Sequence, residues 1–322
     1  MDPQSFTTFP FSRLPFEISL LAIDHASRPN FDAEPANPRL AYIDALSISL
    51  VCRSFRKIAM KNLLHTIIFV SDAHVRSFVD SIRLQRRLRS QSSDMALDYS
   101  SRVRHVYASN IWGAMMSQTA DNFIDCLTLH EVMRDVVALS LTFDASHILH
   151  DGFQHLAKPD PYEWKCRRLV LTGSHVRWLP FTSSRAGMSF LSRITQLALW
   201  VPYDESPFRL DSPVPPWARQ IPFHALSSLS NLAFPLWSSL SDDPKVDFYI
   251  ITPRGNVSDA LEKWAKGDTS AVSVEKLPLS LNCFRHESLS IWDSPHAHLL
   301  TEQVWREIID RRCKSSSSQH LG

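Results

Sequence analysis

Residues 166–171 read CRRLVL and residues 194–199 read ITQLAL, each apolar at its first, fourth and sixth positions. The same pattern lies on both sides of them. VRHVYA (103–108) carries Val103, Val106 and Ala108, and VVALSL (136–141) carries Val136, Leu139 and Leu141. LSNLAF (229–234) carries Leu229, Leu232 and Phe234. Alternation over the last three positions is the period-two signature of a strand with a face to bury. The fourth residues fall at 106, 139, 169, 197 and 232, in steps of 33, 30, 28 and 35 residues. A recurrence of this length predicts stacked supersecondary units, each covering the face its neighbour cannot bury alone. The reading is an α/β fold with a parallel sheet. An irregular α+β domain would also carry spaced apolar strands, so the discriminating observation is whether residues 103–300 stack as one parallel sheet.

DFYIIT (247–252) and ESLSIW (287–292) read as further strands. NFIDCLTLHEVMRD (122–135) has helical periodicity, whereas residues 202–222 are too proline-rich for a helix and read as loop. The tail KSSSSQHLG is of low complexity and is expected to be disordered.

The front of the chain has a different texture. After a lead-in at residues 1–11, a helix is expected to open at Leu14-Pro15, because proline suits the first helical position. Glu17 would meet the positive end of the helix dipole. Ile18, Leu21, Ala22 and His25 follow at helical spacing. Three prolines within Ser27–Pro38 break the helix. Helical character resumes after residue 40, with Val51, Phe55, Ile58 and Ala59 on one expected face. HTIIFV (65–70) reads as a short strand. A further helix starts at Ser71 or Asp72, either of which can cap it. Its apolar stripe is Val75, Phe78, Val79 and Ile82, and its far end carries Arg83, Arg86, Arg87 and Arg89. The stretch RSQSSDMALDYSS (89–101) reads as loop.

Composition narrows the function. With 44% hydrophobic and 21% charged residues the chain has an ordinary globular balance, and 322 residues suffice for two domains without staples. A formal net charge of +1 supplies no field toward nucleic acid or anionic lipid. No apolar run reaches the length of a membrane-spanning helix, and the start MDPQSFTTFPFSR lacks a secretory pattern. The expected location is cytoplasmic or nuclear. Five widely spaced cysteines read as reduced, mostly buried thiols.

Catalytic and cofactor motifs are missing. The seven glycines are dispersed, which excludes GxGxxG and Walker phosphate loops, since both need clustered glycines to bring backbone N–H groups onto phosphate. His130-Glu131 begins like a zinc-protease helix, but Arg134 stands at the second ligand position. His147, His150 and His155, and likewise His296 and His298, lack partners at ligand spacing. Asp204-Glu205 and Asp242-Asp243 lie beside prolines and read as solvated turns. The arginine run reads as the solvated end of a helix. Trp112, Trp178, Trp200, Trp237 and Trp292 sit at or after strand-like segments, as core caps or as binding surface. No catalytic residue, cofactor or metal is expected.

LPFEI (14–18), LVCRSFRKIA (50–59) and LLHTI (63–67) together resemble an F-box. The succession is similar to the F-box-like proteins of mushroom-forming fungi, which also carry a degenerate leucine-rich-repeat-like C-terminal region. The resemblance implies an F-box-like helical module over residues 12–68, a linking helix and loop over 69–102, an irregular leucine-rich-repeat-like solenoid over 103–312 and a tail over 313–322. It implies a substrate receptor of a cullin-RING (SCF-type) ubiquitin ligase, not itself an enzyme. Its partners would be the adaptor subunit and an unknown protein target, with no nucleic acid and no membrane. Carried over by position, Leu14, Pro15, Ile18, Leu50, Val51 and Cys52 would face the adaptor. Two features depart from the family pattern: the insert at 27–38 lengthens the first link, and Phe55 stands where tryptophan is common. The physical reading agrees, since a small amphipathic helical hairpin has apolar surface to place on a partner. The alternatives are a non-ligase interaction scaffold of the same fold and, remotely, a hydrolase with dispersed Ser, His and Asp residues.

Overall fold

The computed structural model describes residues 14–29, 42–109, 111, 125–155, 164–173, 175–201, 214–238 and 245–280. The chain divides into two compact units, Met1–Thr66 and Ile67–Gly322.

The first unit holds three helices, α1 (Phe16–Ala26), α2 (Ile43–Ser49) and α3 (Arg53–His65). Pro15 stands just before α1 rather than at its first position, and its carbonyl accepts from Ser19 N at 3.1 Å. The expected face that joins Val51 to Phe55, Ile58 and Ala59 does not form. α2 ends at Ser49, Leu50 and Val51 make a turn, and α3 begins only after Cys52, whose backbone is extended. That extended residue interrupts the helical phase, and Val51 is exposed whereas Ala59 is fully buried.

The second unit is a mixed α/β structure on one eight-stranded sheet. Its strands are β1 (Thr66–Phe69), β2 (His105–Ala108), β3 (Ala138–Thr142), β4 (Arg168–Thr172), β5 (Gln196–Trp200), β6 (Asn231–Ser238), β7 (Lys245–Pro253) and β8 (Val272–Ser280). The division between the units falls at the first residue of β1. Among the described residues the connecting helices are α4 (Asp72–Ser90), α5 (Tyr99–Arg102), α6 (Cys126–Met133), α7 (His147–His155), α8 (Leu179–Thr182), α9 (Arg185–Leu191) and α10 (Val257–Ala265), with three short 3-10 turns. Residues 69–102 are therefore built into this unit through the end of β1, α4 and α5. Helix α4 starts at Asp72 after Ser71, and Val75, Val79 and Ile82 are buried on the expected stripe.

Strand order equals chain order, and β2 to β6 run parallel. The recurring positions are also structural neighbours. Val106 pairs with Leu139, Leu139 with Leu169, Leu169 with Leu197, and Leu197 with Leu232. One apolar row thus crosses five strands. The leucines Leu139, Leu141, Leu169, Leu171, Leu197 and Leu199 are buried on one face. On the opposite face Ser140, Val170, Ala198 and Ala233 lie in register and are buried as well. A parallel sheet covered on both sides is the usual arrangement for α/β folds.

The parallel sheet expected throughout the rear of the chain ends at β6. β7 and β8 continue it antiparallel. Only residues 239–244 separate β6 from β7. A parallel crossover needs roughly a dozen residues or more, so this link permits only a hairpin. DFYIIT falls inside β7, β8 was not anticipated, and ESLSIW lies outside the described residues, as does the tail at 313–322.

Candidate docking surface

The inner side of α1 is anchored by one residue of α3. Asn62 Nδ2 donates to Asp24 O at 3.0 Å, to Ser27 Oγ at 2.7 Å and to Asp24 Oδ1 at 3.3 Å. Arg28 pairs with the same carboxylate at 3.0 Å. Partial burial pushes the Asp24 carboxyl up, but hydrogen bonds from Arg28 and Asn62 and the Lys61 charge outweigh it, and its pKa is lowered. Ile23 and Ser27 are buried on this side. Tyr42 OH donates to Thr66 O at 2.8 Å, and burial raises the phenol far above its ordinary value.

With that side turned inward, the stripe Ile18, Leu21, Ala22 and His25 turns outward. Ile18 is 48% and Leu21 65% exposed, and Ala22 and His25 are exposed too. The turn after α2 adds two larger exposures, Leu50 at 80% and Val51 at 66%. Its geometry explains them. Leu50 N and Val51 N donate to Ser47 O and Ile48 O, each at 3.2 Å, which tightens the end of α2. Arg56 N then donates to Cys52 O at 2.9 Å to start α3. The two apolar side chains are left on the outside of the reversal. Phe16, Ile43 and Leu46 are also exposed. In contrast, the recurring leucines of the second unit are shut away from solvent.

Of the residues singled out from the sequence, Pro15, Ile18, Leu50, Val51 and Cys52 are exposed and Leu14 is half-buried. Phe16, Leu21, Ile43 and Leu46 were not singled out. Helical spacing marked Leu21 as part of a stripe, but nothing in the sequence said which way the stripe turns. The surface also includes the Cys52 thiol and the His25 imidazole. It offers preformed apolar area.

Several other polar and aromatic groups among the described residues make structural contacts. Arg83 bonds Asp125 at 2.8 Å, and Arg86 pairs with Glu131, so the arginine run ties α4 to α6. Asp125 caps α6 by accepting from Thr128 N at 3.0 Å. His130 is buried with its ring edge-on to Trp164 at 5.0 Å and Phe153 at 6.0 Å. His147 Nδ1 lies 2.6 Å from Asp144 O. Among the described residues no three His, Cys, Asp or Glu side chains gather as a metal site. His296, His298, Asp204-Glu205 and Asp242-Asp243 lie outside them. Trp164, Trp178, Trp200, Trp217 and Trp264 are buried in the core, while Trp112 and Trp292 lie outside the described residues. Burial pushes the Cys166 thiol up to about 12. Among the described residues no helix is long and apolar enough to cross a membrane. Compared with protein-family models, with curated proteins and with solved structures, the chain finds no match in any of the three.

Proposed function

We propose that this chain is the substrate-receptor subunit of a cullin-RING (SCF-type) ubiquitin ligase. The first unit docks on the adaptor subunit through Leu14, Pro15, Ile18, Leu50, Val51 and Cys52, and the second unit holds a protein target. One observation carries the reading: Leu50, Val51, Ile18 and Leu21 stand exposed on a small helical unit at positions that match the F-box pattern or extend it. Large exposed apolar groups on a preformed surface gain free energy by burial against a partner. The in-register stacking of β2 to β6 supports a leucine-rich-repeat-like second unit, with β7 and β8 as a departure from that pattern.

The test is capture of the purified adaptor subunit by the full chain. Leu50→Ala with Val51→Ala should weaken capture by roughly tenfold or more, as central apolar contacts do. Leu14→Ala with Pro15→Ala should weaken it as well. Unchanged capture in both variants rejects the assigned surface. Failure of the unaltered chain to bind leaves the non-ligase scaffold as the better reading.

A further inference from the structure

Helix α4 ends in a reversal built on serine where glycine is usual. Gln91 N donates to Arg87 O at 3.1 Å, Ser92 N to Arg89 O at 3.0 Å and Ser93 N to Leu88 O at 2.9 Å. The last two bonds are the paired closure of a left-handed helix stop, and Ser92 has the positive φ of 53° that this stop requires. The three serines around the stop differ in their side chains. The Ser90 hydroxyl donates to Arg87 O at 2.8 Å, and Ser93 Oγ accepts from Met95 N at 3.3 Å. Ser92 is exposed, and its hydroxyl has no hydrogen-bond partner among the described residues. The chain here reads Arg87-Leu88-Arg89-Ser90-Gln91-Ser92, so arginines stand five and three residues before that hydroxyl. Ser90 has arginine at only one of these two positions and Ser93 at neither. Arg87 and Arg89 are both exposed. Among the described residues Arg87 makes no ion pair, and Arg89 meets Asp98 at 3.4 Å on the exposed surface.

We infer that Ser92 is a phosphorylation site for a basophilic serine/threonine protein kinase, which reads Arg87 and Arg89. Such a kinase sets carboxylates against arginines upstream of the acceptor, and each pairing adds charge-assisted hydrogen bonds. In the transfer, a bond forms between Ser92 Oγ and the γ-phosphorus of ATP as the bond from that phosphorus to the bridging oxygen breaks. ADP leaves, and the hydroxyl proton passes to the catalytic carboxylate of the kinase. The kinase holds its acceptor segment extended, so the last turn of α4 has to open. Opening breaks the turn bonds after Arg87 and the exposed pair between Arg89 and Asp98. The buried residues of α4 end at Gln85, whose Oε1 accepts from Leu97 N at 2.7 Å, so the packed part of the helix stays in place. The added dianion stands at the carbonyl end of α4, with Arg87 and Arg89 as its nearest cations in sequence, and it competes with Asp98 for Arg89.

The experiment incubates the folded full chain with a purified kinase of this class and radiolabelled ATP, and tandem mass spectrometry locates the phosphate. Three chains are compared: unaltered, Ser92→Gly, and Arg87→Ala with Arg89→Ala. Glycine suits the left-handed position, so Ser92→Gly keeps the helix stop while removing the hydroxyl. Thermal unfolding checks that all three chains are folded. The unaltered chain should take up phosphate at Ser92, and Ser92→Gly should lose that uptake. The arginine variant should be labelled about tenfold more slowly or worse, as loss of hydrogen bonds to charged groups implies. Phosphate on Ser90 or Ser93 with none on Ser92 overturns the inference. So does uptake at Ser92 only after the chain is denatured, or no uptake there at all. An unchanged rate in the arginine variant refutes reading through Arg87 and Arg89. Each outcome is independent of whether the first unit docks on an adaptor.

Discussion

Gly152 of α7 lies directly against the ring of His130 in α6: a Cβ placed on the glycine would stand 1.6 Å from His130 Nε2. The contact brings two helices together across an aromatic cluster of Phe153, Trp164, Phe181 and Phe190. Gly152→Ala should therefore force the imidazole out of its slot, at a cost of about 1–3 kcal/mol typical of overpacking. Adding His130→Ala to Gly152→Ala should recover part of that loss. Urea denaturation of the two single variants and the double variant, treated as a cycle, measures the coupling. Additive effects would contradict the contact.

Gly187 makes a harder contact. Its Cβ would fall 2.1 Å from the carbonyl oxygen of Phe181, a backbone atom that no side-chain rotation can move. Gly187→Ala should separate α8 from α9 and cost more than Gly152→Ala. Gly255 is the contrasting control. It has a φ of +83° with nothing within 4 Å of its Cβ, so Gly255→Ala should cost only about 1 kcal/mol of backbone strain. Thermal unfolding of the two variants should rank them in that order.

Asp24 ties acid stability to the first unit. Its folded pKa lies below the ordinary aspartate value of 3.8, so its contribution is fully present above that value and is lost as pH falls through the folded pKa. The contribution comes from contacts with Arg28 and Asn62, which Asp24→Asn weakens. In that variant the drop in stability between neutral pH and pH 3 should be smaller than in the unaltered chain. Asn62→Ala should cost about 1–3 kcal/mol at neutral pH, because it strips a hydrogen-bond donor from both Asp24 and Ser27. Denaturation midpoints at several pH values check both expectations.

Two of the five thiols should separate cleanly by reactivity. Cys52 is exposed at the start of α3, whereas Cys166 is buried before β4 with its pKa near 12. Only the thiolate attacks an alkylating agent, so iodoacetamide at neutral pH should label Cys52 and spare Cys166 until the chain is unfolded. Mass spectrometry of the labelled peptides reads the outcome. Labelling of Cys166 in the native chain at a rate comparable to Cys52 would contradict its burial.

Much of the second unit was legible because its strands repeat a local pattern. Val106, Leu139, Leu169, Leu197 and Leu232 were aligned by spacing, and they are Cα partners across the sheet. The reading stopped short at proline. LSNLAF ends before Pro235, yet β6 runs on to Ser238, with Pro235 opposite Phe248. β8 contains Pro278 and was overlooked. A proline removes one donor from a ladder and so weakens a strand pattern in sequence, although it is tolerated in the edge strand β8 and at Pro235, which lies past Ala233, the last residue of β6 paired with β5.

By itself the sequence determined which residues form faces: the alternating leucines of the strands and the 3.6-residue stripes of α1 and α4. Periodicity is a property of neighbouring residues and is written locally. Only the tertiary structure decided where those faces point. The stripes look alike in sequence, yet that of α4 is buried and that of α1 is open. For α1 the choice depends on Asn62 reaching Asp24 across 38 residues of chain, a contact that fixes which side turns inward. Direction comes from such long-range packing, and no local pattern encodes it.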